Sequence, residues 1–442
     1  MIQKKCVLFA LFIFLVGICV HPFQTRAASA DSLMTQSLRS YGIVPVEGNK
    51  VEIFSNGTDK FADLFLAIRA ARHHVHVEYF VFADDSLAHT MLNLLCEKAR
   101  EGVEVRLVID SFKSVTRNYG FTERKCNYLR SVGVDIRMFD PFKFPYVNHA
   151  QRDHKKIVVV DGRVGYIGGF NVSDYYVKGD PQSYGEWRDT HIRIIGPSVE
   201  GLQRMFSEAY VMSGGAEFDG PEYYPYFSSE QPIIETDYFV WSSQRRLSGA
   251  SFSEGIDAAT IAHVERSRTS KAKKAEMRRM FEAAFASAQH KIQIVSPYML
   301  PTGKVRQAII DALDRGVEVE VLLSEQCDEK LLLYGNMSFA LRLLKHGAKV
   351  FVYRGAFHHS KILMVDGVYS MVGSANLNSR SLRCDYEASS FIFSREVTDS
   401  LSSIFEVDKL HSDTLTVQRY RQQPLGKRIL GGFVNHFLTP IL

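Results

Sequence analysis

Short apolar runs bounded by turns recur along the chain, separated by longer stretches with helical spacing. Gly102-Val103-Glu104-Val105-Arg106-Leu107-Val108 is matched by Gly316-Val317-Glu318-Val319-Glu320-Val321-Leu322. Each follows a helical stretch, residues 87–100 in one case and 305–315 in the other. Upstream, a helix end at 67–71 runs into a strand at 74–82, and 283–288 running into 291–298 repeats it. Downstream, 129–137 around Gly133 is echoed by 344–351 around Gly347. This order of strands and helices predicts an α/β fold with a mixed or mostly parallel sheet in each half. Apolar runs such as 155–160 predict sheets covered on both faces.

Within this repeat a polar signature occurs twice. His154-Lys155-Lys156-Ile157-Val158-Val159-Val160-Asp161 and His359-Ser360-Lys361-Ile362-Leu363-Met364-Val365-Asp366 both read H-x-K-x-x-x-x-D. Each Asp precedes a Gly (Gly162, Gly367), and each copy continues into a small turn and an Asn, Gly168-Gly169-Phe170-Asn171 and Gly373-Ser374-Ala375-Asn376. Both Asn lie 17 residues after their His. Strand alternation puts each His and Lys on one face. An imidazole there can act as nucleophile or proton donor, and an ammonium suits phosphate oxygens. The small turns, with Gly169 and Ser374, would let backbone N–H groups reach an anion, and Asn171 and Asn376 would add a donor each. The set reads as a phosphate cradle holding a nucleophile. A single copy would more often be a satisfied core histidine, but packing gives no reason for Lys and Asn to recur. The sequence has no C-x-x-C, no H-E-x-x-H and no carboxylate cluster beside the histidines, so no metal or other cofactor is expected.

These residues resemble the paired motifs of the phospholipase D superfamily, in which two copies meet at a pseudo-twofold axis and form one active site. The flanking sequence resembles its bacterial cardiolipin synthase branch. The supporting stretches are Trp187-Arg188-Asp189-Thr190-His191 running into Gly196-Pro197, Ser296-Pro297-Tyr298 with Pro301, and Asn376-Leu377-Asn378-Ser379-Arg380-Ser381. The resemblance covers roughly residue 40 to the C-terminus. It implies two phospholipase D-like α/β/α sandwich domains, with His154, Lys156, Asp161, His359, Lys361 and Asp366 as the catalytic signature. It implies histidine-orienting carboxylates at Glu387 and, as counterpart, Asp189. The motif aspartates, Asp161 and Asp366, are expected to hold strand and turn. This sequence departs from the branch at Gly169, which stands where the second copy has Ser374. It also has Asn378 in a common Asp position, and Thr302 after Pro301.

A length of 442 residues, 46% apolar and 23% charged, suits two or three ordinary globular domains. A net charge of +4 carries no nucleic-acid signature. The six cysteines show no framework spacing; two lie in the leader, and the rest are expected to be mostly reduced core residues. Lys4 and Lys5 precede an apolar run at 6–20, and Ala28-Ser29-Ala30 offers a cleavage site, so residues 1–30 read as a signal peptide or an anchor. The first domain is expected at 31–213, an irregular aromatic-rich connecting segment at 214–272, the second domain at 273–412 and a basic amphipathic tail at 413–442. The aromatics of the connecting segment read as packing rather than as a lipid-contacting wall. The basic stretch 266–279 is either a solvated helix face or a site for anionic head groups. The tail either docks on the body or lies in a membrane interface.

The resemblance implies a phosphatidyltransferase that converts two phosphatidylglycerol molecules to cardiolipin and glycerol through a phosphohistidine. Its partners would be anionic phospholipid and a membrane surface, with no nucleic acid. Its place would be the cell envelope, at the outer face of the cytoplasmic membrane. A phospholipase D or secreted nuclease, and a non-catalytic membrane scaffold, are the alternatives. Oligomeric state is left open.

Overall fold

The computed structural model describes residues 28–114, 120–140, 151–180, 185, 187–226, 255–301 and 303–439. Among these residues, fifteen strands join in one sheet. The first half contributes β1 (Val46–Phe54), β2 (His74–Tyr79), β3 (Glu104–Asp110), β4 (Val134–Phe139), β5 (Lys156–Val160), β6 (Val164–Gly168) and β7 (His191–Ile195). The second contributes β8 (Ile256–Arg266), β9 (Lys291–Val295), β10 (Glu318–Ser324), β11 (Lys349–Tyr353), β12 (Ile362–Val365), β13 (Tyr369–Gly373), β14 (Glu387–Phe393) and β15 (Ser412–Leu415). Outward from the central β1–β8 pair the order is β7, β6, β5, β2, β3, β4 on one side. On the other it is β14, β13, β12, β9, β10, β11, β15. The outer strands β2–β3–β4 and β9–β10–β11 pair in parallel, and the inner ones are antiparallel. The halves therefore map onto each other about a pseudo-twofold axis, and β15 is the one strand outside that mapping.

The β-period explains the layers. Ile157 and Val159 of β5 join a core with Leu202, Leu401 and Phe405, from the helices Val199–Met212 and Arg395–Leu410. Val158 and Val160 join the opposite core with Phe61, Met91, Phe281 and Phe339. In β12 the same alternation sends Ile362 and Met364 one way and Leu363 and Val365 the other. Burying such a side chain contributes about 1.5–3 kcal/mol, so a strand covered on both faces has no room for a polar side. The motif lysines and histidines escape this constraint because they sit at or before the strand starts.

One boundary is corrected. The segment 214–272 is not irregular throughout, since β8 lies inside it and is the counterpart of β1. The second half thus opens at residue 256 rather than 273. β8 carries Ala258, Ala259 and Ala262 in place of large apolar residues, Ala258 has φ 57°, and its register against β1 shifts twice. Its regular pairing with β14 forms it despite a weak local pattern. Residues 227–254 lie outside the described residues, as do 1–27 and Thr302. Phe218 and Tyr223 of the connecting segment pack on His76, with the Arg106 guanidinium 4.0 Å from the Phe218 ring. Cys96, Cys126 and Cys327 are buried free thiols.

The tail is docked. Its helix Leu425–Phe433 lies on the helix Lys330–Lys345, where a Cβ at Gly431 would come within 2.4 Å of the Tyr334 carbonyl oxygen. Val434 is fully buried. On the outer side Leu425, Ile429, Phe433 and Phe437 form an exposed stripe at four-residue spacing. Among the described residues no helix is long and apolar enough to cross a membrane.

Candidate active site

Each motif histidine is carried by backbone from its own half and positioned by a segment from the other. Tyr386 N–H donates to the Arg152 carbonyl at 2.9 Å, and His154 N–H donates back to the Tyr386 carbonyl at 2.9 Å. Across the axis Arg188 N–H donates to the Phe357 carbonyl at 3.0 Å, and His359 N–H to the Arg188 carbonyl at 2.6 Å. These two short parallel bridges place the next residue, Glu387 or Asp189, beside the histidine of the opposite half. His154 Nδ1 lies 3.1 Å from both Glu387 oxygens. His359 Nδ1 lies 2.7 Å from Asp189 Oδ2. The orienting pairs are thus crossed, and the centre cannot be assembled from one half.

Lys156 and Lys361 stand in the same place, each with its Nζ folded back onto the carbonyl of its own histidine. Lys361 Nζ is also 2.8 Å from His359 Nδ1, a nitrogen that can donate to Asp189 or accept from the lysine but not both. The buried carboxylate favours donation, which leaves Nε2 as the free nitrogen.

The two sides differ electrostatically. Burial pushes Glu387 up to about 7, against the pull of Lys156. Asp189 is held below the usual carboxylate range; burial opposes this, but Lys361, His359 and the Thr190 N–H outweigh it. Burial lowers Lys156 to about 7 and Lys361 to about 8. His154 is held well below the ordinary imidazole range by burial, Lys156 and Lys361. His359 is lowered by burial and Lys361, with Asp189 opposing. Asp189 thus offsets part of the lowering at His359, whereas His154 is held further below the ordinary range.

Several sequence assignments change. Asp161 and Asp366 do not belong to the reacting centre. The Asp161 carboxylate accepts from Arg72, His73 and His74 N–H at 2.8–3.0 Å, and Asp366 accepts from Gln289, His290 and Lys291 N–H at 2.7–2.8 Å. Each caps the turn leading into β2 or β9, as the structural reading expected. Gly169 and Ser374 are not phosphate donors either. Their N–H groups go to the Thr190 and Ala388 carbonyls at 2.9 Å. The Ser374 hydroxyl bonds Glu387, and a Cβ at Gly169 would meet Asp189 Oδ1 at 2.0 Å. Each position therefore supports a carboxylate, and Gly169 is small because Asp189 occupies the space a serine would need. Asn378 N-caps the short helix Ser379–Arg383 through Ser381 N–H at 3.0 Å, a task an Asp would do equally well.

Asn171 is buried near the centre, with Oδ1 accepting from Val81 N–H at 3.2 Å and Nδ2 3.4 Å from the Tyr176 hydroxyl. Asn376 is buried too, and its Oδ1 has no partner among the described residues. Aromatic walls escaped the sequence reading. Phe80 meets the His154 ring edge-on at 5.0 Å. Trp187, Phe357 and Tyr298 surround His359 at 5.7, 5.3 and 6.2 Å. The Tyr176 hydroxyl is 3.4 Å from His359 Nδ1. Of these only Trp187 and Tyr298 belonged to recognisable motif stretches; Phe357 stands two residues before His359 but outside the repeated signature, and Phe80 and Tyr176 are distant in sequence from the histidines they meet.

Comparison with known proteins agrees with this geometry. A family profile described as cardiolipin synthase, PLD-like domain matches residues 64–181 and 281–409. The probable cardiolipin synthase YwiE of Bacillus subtilis (strain 168) is 30% identical over 409 residues, 92% of this chain and 75% of that protein. A cardiolipin synthase of Geobacillus thermodenitrificans (strain NG80-2) is 30% identical over 396 residues, 89% of this chain and 72% of that protein. Among solved structures, phosphatidylserine synthase of Haemophilus influenzae Rd KW20 superposes with a TM-score of 0.67 at 16% identity. The match covers 92% of this chain and 100% of that one. It supports the fold.

Proposed function

The chain belongs to the cardiolipin synthase branch of the phospholipase D superfamily, and from that membership and its crossed histidine pair we infer a phosphatidyltransferase that converts two phosphatidylglycerol molecules to cardiolipin and glycerol. The observation that carries the mechanism is the unequal pairing of the two histidines.

In the proposed first step His154 Nε2 attacks the donor phosphorus, and the bond from phosphorus to the head-group glycerol oxygen breaks. His359, as imidazolium on Asp189, gives its proton to that oxygen, and glycerol leaves. Glu387 holds His154 through Nδ1–H and faces the positive charge that forms on the phosphorylated ring. In the second step neutral His359 takes the proton of the acceptor hydroxyl, whose oxygen attacks phosphorus. The P–N bond breaks, cardiolipin forms and His154 is restored. Lys156 and Lys361 face the non-bridging oxygens, whose charge grows in both transition states. The aromatic walls limit water at the intermediate, favouring transfer over hydrolysis.

Purified protein given phosphatidylglycerol in detergent should yield cardiolipin and glycerol in equal amounts. Phosphatidic acid alone would replace the proposal with a hydrolase, and DNA cleavage without lipid turnover with a nuclease. Since lysines supply the charge stabilisation, turnover in detergent should survive excess chelator. Complete loss, restored by zinc or magnesium, would contradict the mechanism.

Attachment to an anionic membrane surface is part of the same proposal, supported by the exposed stripe of the docked tail beside Lys427 and Arg428. Export to the outer face of the cytoplasmic membrane rests on the leader at 1–30.

A further inference from the structure

Beside the His154–Glu387 side of the centre lies a cleft of about 330 Å³ lined by Arg266, Arg268, Lys274, Arg278 and Arg383, with Gln151. Its neighbours fix its place. Arg266 is the cross-strand partner of Glu387. Gln151 stands three residues before His154. Arg383 ends the helix Ser379–Arg383, in which Ser381 bonds Glu387 and the charge of Arg380 bears on His154.

Three features suit this cleft to an anion. First, among the described residues five cations and no carboxylate line it. Second, Arg266 is only 3% exposed and gives its terminal nitrogens to the carbonyls of Arg383, Cys384 and Asp385, while its Nε is buried without an acceptor among the described residues. A buried cationic donor left unmet is unfavourable, and an acceptor in the cleft would satisfy it. Third, Lys274 sits in the first turn of the helix Lys273–Ser287, where the helix dipole favours negative charge; Ser270 Oγ accepts from Lys273 N–H, and Glu276 of the same turn is buried and does not line the cleft. Lys273 is offset by Glu208 and Glu265, and Arg278 by Glu282. Arg268, Lys274 and Arg383 are exposed and have no ion pair among the described residues.

The first half is built differently at the matching positions. Both helices carry one acid in the first turn, Asp59 and Glu276, but the first-half helix Gly57–Ala70 opens on an Asn56 cap, and the position matching Ser379 holds Asp174, bonded to Ser86 and Lys178. The pseudo-symmetric body therefore carries a basic cleft on one side of its reaction centre.

We propose that this cleft is the acceptor subsite, holding the phosphate of the phosphatidylglycerol whose hydroxyl displaces His154; the assignment rests on the function proposed above. Water and simple alcohols bring no second phosphate. The acceptor lipid carries one three carbons from its attacking hydroxyl, and in the product it becomes the second phosphate of cardiolipin. The cleft thereby selects the acceptor by charge, and Lys156 and Lys361 are left to the reacting phosphate.

The test is product partition in mixed detergent micelles of phosphatidylglycerol with ethanol present, so that both alcohols compete for the same intermediate. In the R268A/R383A variant, cardiolipin should fall about tenfold or more relative to phosphatidylethanol, as loss of two charge-assisted contacts implies. The apparent KM for the acceptor should rise, and R268K/R383K should recover most of the loss. Both side chains are exposed, so melting curves should match wild type. An unchanged product ratio, or an equal fall in both products, would overturn the assignment. Binding of the variant to vesicles of phosphatidylglycerol and of phosphatidic acid separates a subsite from a general surface charge. Vesicle binding should persist, and loss of binding to both in step with loss of cardiolipin would also overturn it. A wild-type protein that makes phosphatidic acid alone would remove the underlying function, an outcome distinct from any variant ratio.

Discussion

Glu387 and Asp189 hold opposite histidines under different electrostatic conditions, and the pH profile should show it. Ionised Glu387 is needed to hold His154, so activity should fall as pH drops below about 7, where Glu387 takes up a proton. On the alkaline side Lys156 and Lys361 lose their charge from about 7 and 8. kcat/KM reports the free enzyme and should bend there, whereas kcat should bend later because bound phosphodiester favours the ammonium forms. K361R, which stays charged, should flatten part of the alkaline limb, and an unaltered limb would contradict this assignment. Gly169 makes a second prediction. Since a Cβ there would strike Asp189, G169S should lower kcat by about tenfold or more through displacement of His359, while S374G, which loses one hydroxyl on Glu387, should cost less. The motif aspartates behave otherwise. D161A removes an acceptor of three N–H groups and should cost about 1–3 kcal/mol of stability, read as a lower Tm, with little change in kcat of the folded protein.

At the scale of elements, the docked tail changes the test of membrane attachment. Deleting residues 427–442 would uncover the face of the helix Lys330–Lys345 and confound binding with unfolding. The outer stripe can be altered without that penalty. Replacing Leu425, Ile429, Phe433 and Phe437 with Ser should weaken binding to anionic vesicles and turnover on them, and leave turnover in detergent near wild type. Equal loss in both assays would assign the stripe to structure alone. Legibility in the sequence followed local pattern at this scale. β5, β12 and the helix–strand repeats were readable because their apolar runs are long and recur. β8 was not, because its alanines and its Ala258 turn conceal a strand that β14 completes from 121 positions away, Arg266 to Glu387.

Across the whole molecule, duplication predicted one centre from two halves, and the sheet order and the crossed bridges supply it. The sequence offered every charged member of that centre, His154, Lys156, His359, Lys361, Asp189 and Glu387. It could not show the crossing of the carboxylates, because each acid is nearer its own motif in sequence than the histidine it meets. Nor could it show that residues from 266–278 gather with Arg383 around one cleft, since that depends on the β8–β14 register. The central claim is that His154 and His359 act in succession within this shared centre. Its most direct test is rapid quench followed by peptide mass spectrometry, using a phosphatidyl donor whose leaving group needs no proton. H359A should accumulate a phosphatidyl adduct on His154, and H154A should form none. An adduct on His359 in H154A, or no adduct in either variant while wild type turns over, would contradict the account.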